Sequence, residues 1–290
     1  MIKMTTSGNI TIADVLKQGT ELLSKNKTIE TPRLDAEVLL CYVLNCERIS
    51  LVINKDRLLL EGDNAQYLSY IERRKKNEPI SYITGKREFM SLEFDVAEGI
   101  LIPRPDTEIL VEKIIEIYKG KKVSIVDLCT GSGAIAVSLA HYLKCAEITA
   151  VDKYDVCINC AKNNAAKHNL DIDVIKADVL DDFEIDKNVD CIISNPPYIE
   201  TDTLTTLPSD VKDFEPMYAL DGGADGLIFY RKITDFAVKK LNSGGILAYE
   251  IGYNQAQNVK EIINKTNCFK YTEIIKDLSG LDRVIISEKR

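Results

Sequence analysis

Two hydrophobic rhythms divide the chain. Over the first 76 residues apolar positions recur three and four apart, as in Leu34, Val38, Leu39 and Tyr42, the spacing of one helix face. Thr11 is placed to cap a helix over 12–23. Thr31 and Pro32 form an N-cap and first-position pair opening a second helix that reaches about residue 44. A third helix is expected over 63–74. No long alternating run appears here, so this part predicts a small helical domain. At Glu78 and Pro79 the rhythm breaks. Residues 82–84, 87–90, 92–96 and 100–102 read as short extended pieces punctuated by Gly85 and Gly99, a hairpin linker. A helix over 107–118 follows.

From Lys121 onward short apolar runs alternate with helical patterns. Strands are expected at 123–127, 147–152, 172–176, 189–194 and 245–251, with two late strands near 271–275 and 283–286. Helices are expected at 134–142, 155–168, 226–241 and 253–264. Repeated strand–helix units imply a mostly parallel sheet covered on both faces, here with an antiparallel late strand. Right-handed crossovers make such a sheet doubly wound. The fold class is therefore α/β, a Rossmann-like sheet with a small N-terminal helical domain. The divisions are 1–77 (helical), 78–103 (hairpin linker) and 104–290 (the strand–helix region).

Composition narrows the function classes. The formal net charge is −8, and residues 1–80 carry 12 basic against 11 acidic side chains, leaving 25 against 34 beyond. An acidic catalytic region is a poor electrostatic match to a nucleic acid, so no stable nucleic-acid partner is expected. No apolar run approaches bilayer length, and the opening residues lack the apolar core of a signal peptide, which points to a cytoplasmic protein without membrane contact. It is expected to be a monomer. The eight cysteines are scattered through apparent helices and strands. Cys157 and Cys160 form a C-x-x-C, but they fall inside a helical pattern with no second pair at zinc spacing, so helix packing is expected rather than a metal. His141 and His168 also fall within apparent helices and read as structural.

In open α/β sheets ligands bind beyond the carboxyl ends of the strands. The first such loop reads Asp127-Leu128-Cys129-Thr130-Gly131-Ser132-Gly133. Gly131 and Gly133 permit a tight turn and close approach of a ligand to backbone. Asp152 closes the next strand nineteen residues on, where a carboxylate can accept both ribose hydroxyls. Gly131, Gly133 and Ala136 also approximate a dinucleotide fingerprint, so the loop alone leaves a nicotinamide dinucleotide open. Asp127 favours S-adenosylmethionine, because a carboxylate beside the loop suits an ammonium group and repels a pyrophosphate. Asp178, after the third strand, is placed to bond an adenine amino group.

After the fourth strand stands Asn195-Pro196-Pro197-Tyr198. Two prolines stiffen the backbone and remove two N–H donors, so carbonyls can face a ligand. Asn195 adds a side-chain carbonyl and Tyr198 an aromatic face. That set suits a planar NH₂ group conjugated to a carbonyl or ring. Its lone pair is delocalised, and acceptors at both N–H bonds can hold the nitrogen while a methyl group arrives.

This tetrapeptide with the preceding glycine loop resembles amino-methyltransferases of class I. Further landmarks make the chain similar to the release factor glutamine methyltransferase family (PrmC/HemK). They are Glu78-Pro79-Ile80-Ser81-Tyr82-Ile83-Thr84-Gly85, Glu88-Phe89, Leu101-Ile102-Pro103-Arg104-Pro105-Asp106-Thr107-Glu108, Phe214-Glu215-Pro216, Ala219-Leu220-Asp221-Gly222-Gly223, Asp225-Gly226-Leu227, Tyr230-Arg231, Asp277-Leu278-Ser279-Gly280 and Asp282-Arg283. The resemblance implies methylation, from S-adenosylmethionine, of the glutamine side-chain nitrogen (N5) in the Gly-Gly-Gln motif of peptide-chain release factors, with S-adenosylhomocysteine as product. It implies that the helical N-terminal domain helps bind the factor. By position, Cys129, Thr130, Gly131, Ser132, Gly133 and Asp152 would hold the donor. Asn195, Pro196, Pro197 and Tyr198 would hold the glutamine, and Arg104 would lie near the site mouth. Cys129 stands where the family usually has glycine, and Val179 where some members carry an aromatic against adenine. Read without the resemblance, Arg104 is a linker arginine pairing with Asp106 or Glu108. The same tetrapeptide would also serve a ribosomal-protein glutamine or, with a flipped base, adenine N6 in nucleic acid.

Overall fold

The computed structural model describes residues 10–290. The opening nine residues, part of the stretch read as lacking a signal-peptide core, lie outside the described residues. The chain divides into two compact units, one ending at Gly85 and the other running Lys86–Arg290. The expected linker 78–103 is where the division falls. Its first residues group with the helices and its hairpin with the sheet.

The first unit holds α1 (Ile12–Leu23), α2 (Pro32–Leu44), α3 (Arg48–Ile53), α4 (Glu61–Arg74) and α5 (Ile80–Thr84). Thr11 caps α1 reciprocally: its hydroxyl accepts the Asp14 amide at 3.2 Å, and the Asp14 carboxylate accepts the Thr11 amide at 3.2 Å. Thr31 precedes α2 as expected, but its hydroxyl donates to the Asp35 carboxylate at 2.9 Å instead of capping backbone. Ile12, Val15, Leu16 and Leu23 of α1 pack with Leu39, Leu40, Tyr67 and Ile71. Gly19 is needed where α1 meets Tyr67, since a β-carbon there would stand 2.0 Å from the phenol oxygen. Residues 82–84, expected to be extended, are helical. Pro79 presets the entry and Gly85, at φ 72°, ends the turn in the left-handed region. The helix α3 carried too few residues to register as a period.

The second unit opens with the hairpin β1 (Lys86–Phe89) and β2 (Leu92–Asp95), followed by α6 (Asp106–Tyr118). Residues 100–102 belong to no strand. Then come β3 (Val123–Leu128), α7 (Ala134–Tyr142), β4 (Ala146–Asp152), α8 (Asp155–Lys167), β5 (Asp173–Lys176) and β6 (Val189–Ser194). Short turns at Thr201–Thr206, α9 (Ser209–Lys212) and Met217–Ala219 precede α10 (Ile228–Lys240). The chain ends with β7 (Leu241–Glu250), α11 (Ala256–Lys265), β8 (Phe269–Lys276) and β9 (Asp282–Lys289).

The main sheet has the order β5-β4-β3-β6-β7-β9-β8. Every pair is parallel except those made by β9, which runs antiparallel to β7 and β8. Successive strand residues alternate between two cores. Ile125, Ala150, Ile193 and Ala248 meet α6 and α7, while Val126, Val151, Ile192 and Leu247 meet α10 and α11. Connections leave β3 toward β4 and leave β6 toward β7, in opposite directions along the sheet. That reversal opens a crevice at the carboxyl ends of β3 and β6. Among the described residues no helix is long and apolar enough to cross a membrane.

Candidate active site

A cavity of about 360 Å³ lies at that crevice, wholly within the second unit, within the range typical of small-ligand sites. Its wall includes Cys129, Thr130, Gly131 and Ser132 from the loop after β3, Asp152 after β4, Asp178 and Val179 after β5, Asn195 and Pro197 after β6, and Arg104 before α6. Residues spread from Arg104 to Pro197 thus meet at one place because parallel strands end on one edge.

The glycine loop is held from two sides. Thr130 donates its hydroxyl to Asp127 Oδ2 at 2.6 Å, and the Gly131 amide donates to Asp152 Oδ2 at 2.9 Å. A second amide, of Tyr154, donates to Asp152 Oδ1 at 3.0 Å. Gly131 takes φ 57°, and a β-carbon there would meet nothing within 4 Å. The backbone is therefore open to a ligand. Cys129 adopts φ 62°, an unusual left-handed conformation for a side chain of this size. Burial pushes its thiol well above the ordinary range, with Asp152 and Asp127 adding to the rise.

Four predicted residues stand off the wall. Asp127, expected to meet an ammonium group, is wholly buried beneath the loop. Burial pushes its carboxyl up to about 7 against the Thr130 and Ala136 hydrogen bonds, and its Oδ1 has no hydrogen-bond partner among the described residues. In this state it organises the loop from below. Gly133, at φ 79°, packs against α8, where a β-carbon would stand 2.9 Å from the Ala161 backbone. Pro196 is buried. The Tyr198 ring is half-buried and packs against the core on the α10 side rather than facing the cavity. Its backbone is pinned by Gln255 Nε2, which donates to the Tyr198 carbonyl at 2.8 Å. The Ile199 amide donates to the Leu220 carbonyl and the Gly222 amide to the Ile199 carbonyl.

Asp178 reaches the cavity already engaged. Its Oδ2 pairs with Lys153 at 2.7 Å and its Oδ1 accepts the Leu180 amide at 2.9 Å. Burial works to raise its carboxyl, but these two donors hold it below the usual range. Arg104 pairs with neither Asp106 nor Glu108. It donates to Glu215 Oε2 at 2.6 Å, while Glu108 accepts the Met90 amide and Asp106 lies 3.5 Å from Arg283. Glu215 is buried, so burial raises its carboxyl, partly offset by the Arg104 charge.

Several site residues had no signal in spacing. Asn195 Nδ2 donates to Thr107 Oγ1 at 3.2 Å, and Thr107 Oγ1 donates to Glu250 Oε2 at 2.5 Å. Tyr154 and Tyr218 also line the cavity, with ring centroids 3.7 Å apart and planes at 25°. Thr107 and Glu215 fell inside the quoted landmarks and Glu250 ends a strand, but nothing in sequence joined them. The C-x-x-C pair lies buried in α8. Cys160 Sγ donates to the Asp95 carbonyl at 3.2 Å, and Cys157 faces the cavity wall. His168 ends α8 with Nε2 2.9 Å from the Glu93 carbonyl.

Comparison with known proteins agrees with this architecture. Residues 14–85 match a family model described as PrmC N-terminal domain, and residues 105–207 one described as methyltransferase small domain. A release factor glutamine methyltransferase of Clostridium botulinum is 43% identical over 282 residues, covering 96% of this chain and 99% of that one. One from Clostridium acetobutylicum is 45% identical over 259 residues, covering 87% of this chain and 90% of its own length. Among solved structures, a methyltransferase from Pyrococcus furiosus has TM-score 0.54 at 16% identity, covering 79% of this chain and 99% of that chain. The hMettl16 catalytic domain, solved in complex with a 3′UTR hairpin, has TM-score 0.57 at 18% identity, covering 80% and 83%. These last two share the fold. The identity to the curated relatives runs through both units, and the chain belongs to the release factor glutamine methyltransferase family.

Proposed function

We propose that this enzyme transfers a methyl group from S-adenosylmethionine to the side-chain N5 of the glutamine in the Gly-Gly-Gln motif of peptide-chain release factors. The observation that carries the reading is the shared cavity wall, to which Asn195, the Gly131 loop and Asp152 all contribute. The residues present fit the donor. Asp152 keeps further lone pairs for ribose hydroxyls beside an open glycine backbone, and Val179 and Leu180 offer an apolar face to a flat ring. Asp178 likewise keeps lone pairs for the adenine amino group. When bound, S-adenosylmethionine supplies an electrophilic methyl carbon.

The chain's own residues hold the acceptor. The Asn195 carbonyl and the backbone carbonyls of the proline pair accept the two N–H bonds of the glutamine amide. They stabilise positive charge on nitrogen as the new bond forms, worth about 3–4 kcal/mol per well-placed group. Alignment of nitrogen and methyl carbon contributes roughly 7–11 kcal/mol more. Tyr198, packed against the core on the α10 side, holds the turn that carries these carbonyls, with its own carbonyl pinned by Gln255. No side-chain base is required, since the nitrogen, left positively charged by the transfer, gives its proton to solvent water.

Labelled S-adenosylmethionine, incubated with the protein and a bacterial release factor, tests the reading. Label should enter the factor and vanish when the Gly-Gly-Gln glutamine is changed to alanine. Label that survives that change, or that enters a ribosomal protein, DNA or RNA instead, overturns it.

A further inference from the structure

The Asn195 carboxamide has two ends, and the proposed reaction uses only the oxygen. The other end is held by a buried chain from two distant elements. Asn195 Nδ2 donates to Thr107 Oγ1 at 3.2 Å, and Thr107 Oγ1 donates to Glu250 Oε2 at 2.5 Å. Thr107 lies in the first turn of α6 and is 5% exposed; Glu250 ends β7 and is 1% exposed. The Glu250 backbone is itself fixed, because Tyr230 donates its hydroxyl to the Glu250 carbonyl at 3.0 Å.

A hydroxyl has one proton and a carboxylate only accepts. Ionised Glu250 therefore accepts the hydrogen bond of the Thr107 hydroxyl, leaving Thr107 only lone pairs for Asn195. Asn195 must then turn its NH₂ to Thr107 and its oxygen away. We propose that Glu250, acting through Thr107, is the positioning residue that fixes which end of the Asn195 amide meets the substrate carboxamide. The inference rests on the acceptor role given to Asn195 above.

The charge of Glu250 carries the sense of the chain. A neutral Glu250 can donate to Thr107, which frees the Thr107 proton for the Asn195 oxygen. The amide then reverses and presents its NH₂ to the substrate NH₂, donor against donor. Burial pushes Glu250 up to about 7; the Thr107 bond and Arg283 oppose this, Asp106 adds to it and Arg104 opposes it weakly. The phenols of Tyr198 and Tyr230 lie in the same field. The reversal therefore falls close to neutral pH.

Full-length Thr107→Ser, Thr107→Val and Glu250→Gln are compared with the unaltered protein. Calorimetry with S-adenosylhomocysteine reads the donor site, and steady-state transfer to a release factor gives kcat and KM. Thr107→Val should lower kcat about 10- to 100-fold, the scale of a misplaced reacting group. Donor affinity and KM should stay within about threefold. Thr107→Ser, which keeps the hydroxyl, should restore kcat to within about threefold. The acid limb of kcat against pH should disappear in Glu250→Gln. Unchanged kcat in Thr107→Val, or an acid limb that persists in Glu250→Gln, overturns the inference. So does a loss in Thr107→Ser equal to that in Thr107→Val, or a loss of donor affinity matching the loss of kcat. An unaltered protein that transfers no methyl to glutamine overturns the functional reading together with it.

Discussion

At the scale of single residues, the donor loop shows how one backbone can require opposite things at neighbouring positions. Cys129 and Gly133 both have positive φ, 62° and 79°. Cys129 faces a cavity, so its side chain has somewhere to go. Gly133 faces the backbone of α8, where a β-carbon would stand 2.9 Å from both Ala161 Cα and Cβ. Changing Cys129 to glycine removes left-handed strain and should leave donor affinity within about threefold. Changing Gly133 to alanine combines that strain with a clash that only movement of α8 can relieve. Overpacking of this kind costs about 1–3 kcal/mol. Because α8 follows the Asp152 turn, the same movement should weaken S-adenosylhomocysteine binding at least tenfold. Thermal unfolding and calorimetry on the two variants check this pair, and equal effects would show that the loop does not depend on close packing at Gly133.

At the scale of elements, legibility followed the length of the repeat. The helix over 134–142 and the strand over 189–194 were readable to the residue, because each has a sustained apolar period and a clear boundary. The six residues of α3 span under two turns, and Ile80–Thr84 is a single turn set by its flanking proline and glycine, so neither could announce itself by period. The ligand loops were legible from glycine, acid and proline at strand ends. The chain from Asn195 through Thr107 to Glu250 was not, because its members stand 88 and 143 residues apart and meet only through sheet order. The hairpin shows a third kind of silence. Its turn residues Met90 and Ser91 have φ 51° and 57°, yet neither is a type that favours positive φ. The turn is held instead by the Glu108 carboxylate on the Met90 amide at 2.7 Å and by Tyr142, whose hydroxyl donates to the Met90 carbonyl at 2.8 Å. Replacing the pair with Asn-Gly should therefore raise stability by about 0.5–1 kcal/mol, as relief of left-handed strain outweighs the added freedom of the unfolded chain. Calorimetric melting would detect it, and a lower melting temperature would mean the Met90 side chain contributes more packing than its backbone loses.

At the scale of the whole molecule, the enzyme carries an acidic surplus and also buries acids at its centre. Burial raises Asp127, Asp152, Glu215 and Glu250, and takes Asp127 and Glu250 up to about 7. A carboxyl whose folded pKa exceeds its unfolded value binds more protons in the native state between those two values. Its stabilisation is complete below the unfolded value near 4.5 and is lost as pH rises through about 7. For the fully buried Glu250 the whole span corresponds to roughly 3 kcal/mol, most of it between pH 5 and pH 8. The Glu250→Gln variant has no such proton to lose, so the difference between the two proteins should widen in the variant's favour from pH 5 to pH 8. At a few degrees per kcal/mol for a unit of this size, the relative melting temperature of the larger unit should shift by roughly 5–10 °C. Parallel stability curves across that range would mean that Glu250 is ionised throughout, with Arg283 and Arg104 outweighing its burial. Loss of stability and gain of a directed Asn195 are then two consequences of the same ionisation. On the role proposed for Glu250, the charge that makes the fold less stable at neutral pH is the same charge that sets the sense of the hydrogen bonds at the Asn195 amide.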